Sequence, residues 1–214
     1  MTSRAEQADP FLAARRAMAE LVRARGVRDP LVLDAMGRVP RERFVSPSLA
    51  GRAYDDGPLP IGGGQTISQP YVVALMAEAA RLTPASRVLE VGGGCGYAAA
   101  VYAAIASEVV SIEQDAALAA GAAGRLAALG FANVTVAHGD GAAGWPEKAP
   151  FDAILVAAAA IEPPPALLDQ LADGGRLVIP VGPEWGRQEL LRVKRENGSF
   201  RKEPLGGVRF VPLL

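Results

Sequence analysis

The sequence predicts an α/β fold: a mostly parallel central sheet with helices on both faces, preceded by a helical addition. Three observations predict it. From residue 87 onward, short apolar runs alternate with stretches of helical character, the order of a parallel sheet with crossover helices. The runs RVLEV, EVVSIE and FDAILV show little in–out alternation, as strands buried on both faces do. A glycine-rich turn, GGGCG, joins the first of these strands to a helix.

The elements follow in order. In PFLAARRAMAELVRAR, residues 10–25, Leu12, Met18, Leu21 and Val22 fall at near-helical spacing, and Gly26 is a stop signal. DPLVLDAMGRVP reads as a second short helix ending before Pro40, and RERFVSPSLAGRAYDDGPLP as a turn-rich link. IGGGQTIS reads as a flexible glycine turn, and residues 67–82 as a helix begun by Ser68 and Pro70. The strand at 87–91 comes next, then helix 97–106, strand 108–113, the helix AALAAGAAGRLAALG, the strand-and-loop NVTVAHGD and the apolar strand 151–159. PPALLDQLADGG reads as a helix with a glycine stop, followed by the strand RLVIPV; LLRVKRE and VRFVPL are late strands. This gives two parts: an N-terminal helical region and link, 1–66, and a core, 67–214, the two forming one compact unit.

Composition narrows the chemistry. Half of the 214 residues are hydrophobic and the formal net charge is -1. That argues against disorder and against a basic nucleic-acid footprint. The opening MTSRAEQADPFLAARR has no apolar core of the signal type and no long uncharged apolar span follows, so a cytoplasmic protein without a membrane partner is expected; a monomer is the accompanying expectation. Cys95 is the only cysteine and His138 the only histidine, which excludes an intrachain disulfide and leaves no metal-ligand cluster. The same scarcity argues against Cys95 as a nucleophile and His138 as a catalytic base, since neither has an activating partner nearby in sequence.

The strongest local chemistry is LEVGGGCGYAAA. Glu90 ends the strand, and Gly92, Gly94 and Gly96 alternate before a helix, which lets backbone pass close to a ligand. Glu113 ends the next strand, about 20 residues past the first glycine, the spacing of a carboxylate that grips ribose hydroxyls. A dinucleotide fingerprint reads G-x-G-x-x-G, but the order here is E-x-G-x-G-x-G. Glu90 would repel a phosphate and welcome a cation. S-adenosyl-L-methionine, with its ammonium and sulfonium and no phosphate, fits better. Asp140, after the third strand, is placed to read an adenine edge.

Taken together, RGVRDPLVLDAMGRVPRERFV, YDDGPLPIGGGQTISQP, LEVGGGCGY, GDGAAGWPEKAPFDAILVAAA, GGRLVIPVG and VRFVPL closely resemble the protein-L-isoaspartate O-methyltransferase family, nearly end to end. The resemblance implies a Rossmann-like, class I S-adenosylmethionine-dependent methyltransferase. It implies methyl transfer to the α-carboxyl of L-isoaspartyl residues in damaged proteins and peptides, with S-adenosyl-L-homocysteine as product; the ester then closes to a succinimide and reopens partly as normal aspartate. Ser68 matches the family's active-site serine. Gln65, Thr66 and Ile67 match the segment over the cofactor, and Gly92, Gly94, Gly96, Glu113, Asp140 and Gly141 match the cofactor crevice. The chain departs from the family pattern at Gly63, Gly93, Cys95, Ala157 and Ile161.

An acceptor carboxylate is already ionised at neutral pH and needs no general base. Ser68 is then expected to donate a hydrogen bond to that carboxylate, and Arg209 to attract it from the groove; a helix cap at Ser68 and a plain surface arginine are the alternatives. Two other functions stay open at this point. One is a methyltransferase for a different carboxylate, in an aspartyl peptide or a small acid. The other is a non-catalytic module that binds S-adenosylmethionine.

Overall fold

The computed structural model describes residues 9–213. Residues 1–8 and residue 214, the outer ends of the two expected parts, lie outside the described residues. Seven strands form one sheet in the order β5 (Val134–His138), β4 (Glu108–Glu113), β3 (Arg87–Val91), β6 (Phe151–Val156), β7 (Leu171–Val181), β8 (Gln188–Glu196) and β9 (Ser199–Val208). The first five are parallel, and β8 and β9 add antiparallel. Both faces of the parallel strands are apolar. Val88, Val109, Ala153, Leu155 and Val178 face one core, while Leu89, Val110, Ile154, Val156 and Leu177 face the other. This is why the strands read as unbroken apolar runs.

The first core is the larger. It is filled by α1 (Leu12–Ala24), α2 (Pro30–Arg38), α3 (Pro70–Ala80) and α4 (Tyr97–Ala103), with Leu126 of α5 (Ala116–Ala128). The second core is closed by α6 (Pro165–Asp169), Trp145 and Leu213. Local signals start the helices. Asp29 accepts from Leu31 N at 2.8 Å ahead of Pro30 in α2, and Asp115 accepts from Ala117 N at 2.8 Å to cap α5.

Several boundaries differ from the expectation. Ile67 belongs to a hairpin, β1 (Leu59–Gly62) with β2 (Gln65–Ile67), paired Leu59 to Ile67 and Pro60 to Thr66. IGGGQTIS is therefore two short strands around a glycine turn, and the line between residues 66 and 67 falls within β2. Helix α3 begins at Pro70, and its cap position is Gln69, not Ser68. The helix expected over PPALLDQLADGG is only five residues long, because Leu171 already pairs with Phe151. The last strand is SFRKEPLGGV, and VRFVPL lies mostly beyond it, held by a bridge from Pro212 to Ala159. That strand is polar and lies at the sheet edge, so it carries little apolar signal.

The topology positions the site. From β3 the chain steps outward through β4 to β5, then returns to β6 on the other side of β3. The strand order thus reverses beside β3, and the crevice of such a sheet opens at the carboxyl ends there.

Candidate active site

A crevice of about 700 Å³ opens at that point. Its floor is the turn after β3, with Glu90, Gly92, Gly93, Gly94 and Cys95. Glu113 and Gly141 stand on one side, and the hairpin residues Gln65, Thr66 and Ile67 with Ser68 on the other. Its mouth is bordered by Trp185 and by the segment from Leu205 to Leu213, which includes Arg209.

The turn is built by close approach. A side chain on Gly94, which has φ +54°, would place Cβ 3.1 Å from Ile61 Cδ1, so the bare backbone lets the hairpin seat on the turn. Glu113 locks the same backbone: one carboxylate oxygen accepts from Gly94 N at 2.7 Å, the other from Asp115 N at 2.8 Å. The carboxylate is thereby fixed at the end of β4 and at the start of α5.

Glu90 sits differently. It is only 1% exposed, and Ser111 Oγ donates to it. Burial pushes its carboxyl up to about 8, and the nearby Glu113 pushes the same way, against the Ser111 hydrogen bond. Gly93, a departure from the family pattern, accounts for Ser111. A Cβ at Gly93 would lie 2.2 Å from Ser111 Oγ. The glycine leaves room for the hydroxyl that reaches Glu90.

The Ser68 turn is held from the link. Asp56 accepts from Tyr71 N at 3.2 Å, in the first turn of α3, and from Gln69 Nε2 at 2.9 Å; Gln69 also donates to Asp56 O at 3.0 Å. Arg25 of the first helical segment pairs with the same carboxylate and lies 3.8 Å above the Tyr71 ring. Asp56 thus does the capping expected of Ser68, whose hydroxyl makes no hydrogen bond among the described residues and borders the crevice. Its neighbour Asp55 pairs with Arg52, on the surface.

Not every expected residue lines the crevice. Gly96 lies behind it, where a Cβ would be 3.1 Å from Leu126 of α5. Asp140 is exposed, and its carboxylate accepts from Ala142 N at 2.8 Å, so it shapes the turn that brings Gly141 to the wall. His138 is exposed, with Nε2 3.1 Å from Gln114 O, away from the lining. Cys95 does line the crevice, but burial pushes its thiol up to about 11, so it is no thiolate nucleophile at neutral pH. Arg209 is exposed at the mouth, without an ion pair among the described residues. Gln188, which the sequence did not single out, is buried behind the mouth. It accepts from Phe210 N at 2.7 Å and donates to Phe210 O at 3.1 Å. A lone glutamine has no spacing or motif to mark it.

The donor set suits a cationic ligand. The Glu113 carboxylate, the buried Glu90 carboxyl and the bare backbone of the glycine turn occupy one end, while the arginines of the lining, Arg25 and Arg209, belong to the Ser68 turn and the mouth. Among the described residues no group of three histidine, cysteine or acidic side chains is gathered to hold a metal ion.

Comparison with known proteins agrees with this arrangement. The profile of the protein-L-isoaspartate(D-aspartate) O-methyltransferase family matches residues 13–214. Protein-L-isoaspartate O-methyltransferase of Methylorubrum populi is 61% identical over 191 residues, 89% of this chain and 90% of that one. A Rhodopseudomonas palustris relative of the same name is 56% identical over 98% of this chain and 86% of its own. A solved protein-L-isoaspartate O-methyltransferase superposes with a TM-score of 0.85 at 32% identity, covering 92% of this chain and 65% of that chain. A Plasmodium falciparum β-aspartate methyltransferase, solved with S-adenosyl-L-homocysteine, superposes with a TM-score of 0.81 at 29% identity over 94% of this chain and 98% of its own.

Proposed function

Because the chain belongs to the protein-L-isoaspartate O-methyltransferase family, we propose that its crevice is divided between a methyl-donor end at Glu90 and Glu113 and an acceptor end at Ser68 and Arg209. The enzyme transfers methyl from S-adenosyl-L-methionine to the α-carboxyl of L-isoaspartyl residues in damaged proteins and peptides, which initiates repair. The observation that carries the division is the opposition of the Glu113-locked glycine turn to a serine that is free of capping.

When bound, S-adenosyl-L-methionine supplies an electrophilic methyl on a positively charged sulfur. The chain's own residues do the rest. Glu113 would hold the ribose hydroxyls, and Glu90, whose buried carboxyl keeps its proton at neutral pH, would ionise against the ammonium; Gly92, Gly94 and Gly141 let the backbone come close. Gln65, Thr66 and Ile67 would cover the donor from the hairpin, and Ile61, seated on Gly94, would keep water out. Gly96 and Asp140 act indirectly, by packing α4 on α5 and by shaping the Gly141 turn. Ser68 donates its hydroxyl hydrogen to one oxygen of the acceptor carboxylate and aims the other at the methyl carbon. Arg209 draws the anionic residue to the mouth. No group has to remove a proton, because the attacking oxygen is already ionised. Orientation and removal of water supply the rate.

Of the two parts, 1–66 and 67–214, the described residues of the first supply the helical addition and most of the hairpin cover, and those of the second the core. The protein works as a monomer in the cytoplasm, with no nucleic-acid or membrane partner. The near-neutral charge speaks against a nucleic-acid partner, and no helix among the described residues is long and apolar enough to cross a membrane.

Incubation with methyl-labelled S-adenosyl-L-methionine and an isoaspartyl peptide, beside its aspartyl twin, tests the function. Label in a base-labile ester on the isoaspartyl peptide alone is expected. Equal labelling of both peptides, or of neither, overturns it.

A further inference from the structure

At the mouth of the crevice stands a side chain that the reaction at its floor does not explain. Trp185 is 83% exposed, in the loop between β7 and β8, and it borders the crevice. An exposed tryptophan gives up much favourable burial, and its presentation here is built rather than loose. A Cβ on Gly182 would lie 2.5 Å from Arg187 O, and one on Gly186 would lie 2.6 Å from Pro183 Cγ, so the loop is packed on itself. Buried Gln188 fixes its base, donating to Phe210 O and, at 3.5 Å, to Pro183 O.

Two more exposed apolar residues share this rim, Ile161 at 76% and Val211 at 43%. Their segments are bonded together. Gly182 N donates to Ala160 O at 2.9 Å, and Ala159 N donates to Val211 O at 2.7 Å. Three chain segments thus bring Trp185, Ile161 and Val211 to one edge, joined to the crevice through Trp185 and Val211. Exposed apolar side chains gathered beside a crevice mark a binding surface, and tryptophan is the side chain that most often dominates one.

We propose that Trp185, with Ile161 and Val211, binds the apolar side chains that flank an isoaspartyl residue. The occupant is an unfolded polypeptide segment. This rests on the carboxyl-methylation reading of the crevice, since an acceptor carboxylate that reaches Ser68 must carry its neighbouring residues across the mouth. Native proteins keep most large apolar side chains inside. A rim that reads them therefore selects damaged sites in unfolded chains over those on folded surfaces. Ile161, one of the departures from the family pattern, adds apolar surface to this rim.

The test compares two isoaspartyl peptides of equal length and charge, one flanked by leucine and phenylalanine and the other by glycine and serine. With the wild-type protein, KM is expected to be lower for the first. Trp185→Ala should raise KM for the apolar-flanked peptide about tenfold and that for the glycine-flanked peptide by less than about twofold, with kcat held. Trp185→Phe should recover much of the loss, and S-adenosyl-L-homocysteine affinity, which reports an intact core, should hold in both variants. In Trp145→Phe protein, which keeps Trp185 as its one tryptophan, adding the apolar-flanked peptide should shift the emission. An equal rise in KM for both peptides, no rise at all, or an unmoved emission overturns the proposal. If wild-type protein methylates neither peptide, the reading of the crevice fails first and the rim with it. If it methylates both with the same KM, only the rim fails.

Discussion

Replacing Glu90 by glutamine tests the electrostatics of the crevice floor without altering its shape. The folded-state value of the Glu90 carboxyl, about 8, stands above its ordinary 4.5. A group whose folded value is raised holds its proton more firmly when folded. Its contribution to stability is complete below about pH 4.5 and is lost as pH rises through about 8. Between pH 5.5 and pH 8.5 the two values imply a loss of about 3 kcal/mol, since each pH unit crossed below the folded value is worth about 1.4 kcal/mol. Glutamine keeps an acceptor for the Ser111 hydroxyl and does not titrate, so Glu90→Gln should remove that loss. The assay is urea unfolding of the ligand-free protein and the variant at both pH values. Stability of the wild type should fall more steeply by about 3 kcal/mol than that of the variant. Groups shared by the two proteins cancel in this comparison, and Cys95, pushed up to about 11, titrates above the window. Parallel pH profiles would refute the reasoning and mean that Glu90 ionises freely in the folded protein.

Three further outcomes are expected. Ser68→Ala should lower kcat on an isoaspartyl peptide roughly 10- to 100-fold and leave S-adenosyl-L-homocysteine affinity within about twofold, as the loss of one oriented donor does; calorimetry and initial rates check it, and equal loss of both would make Ser68 structural. Asp56→Ala should destabilise the protein by about 1–2 kcal/mol, like loss of a helix cap, and should lower kcat through the Ser68 turn; chemical denaturation with kinetics checks this, and Asp56→Asn should be milder. Gly93→Ala should cost about 1–3 kcal/mol by overpacking against the Ser111 hydroxyl, and less in a Ser111→Ala background, where denaturation of the four proteins of the cycle gives the coupling.

How much of this was legible depended on what each residue packs against. The strands at 87–91 and 108–113 were read to the residue, because strands buried on both faces have an unbroken apolar signature. The hairpin over the crevice was not, since three consecutive glycines look like a turn and Gln65–Ile67 is too short to show alternation. The edge strand β9 was missed for the opposite reason: SFRKEPLGGV is mostly exposed, and VRFVPL, more apolar, drew the expectation past it. At the site, glycine spacing and the two glutamates found the crevice floor. The residues that act at a distance in sequence left no trace there. Asp56 reaches across 15 residues to cap α3, and Gln188 across 22 to hold the mouth. Gly93 shows its purpose only when Ser111 is placed beside it.

The absence of an acid–base pair from this crevice follows from the charges of the reaction. A sulfonium and a carboxylate approach one another, and as the new C–O bond forms and the C–S bond breaks, both of those charges disappear. Water stabilises the separated ions more than it stabilises the partly neutralised transition state, so each water removed favours reaction. The chain therefore gains more from closing the crevice than from placing a base in it. The features of the site agree: Ile61 rests on Gly94, Cys95 is a buried thiol, and His138 stays outside. Only oriented dipoles and the carboxylates that match the donor's remaining charge are required inside. A single fixed hydroxyl at Ser68 is compatible with this demand, because it aims the acceptor without neutralising it. A cation in direct contact with the carboxylate would hold the nucleophile back, and Arg209 at the mouth, rather than the floor, is where attraction helps approach and leaves attack free.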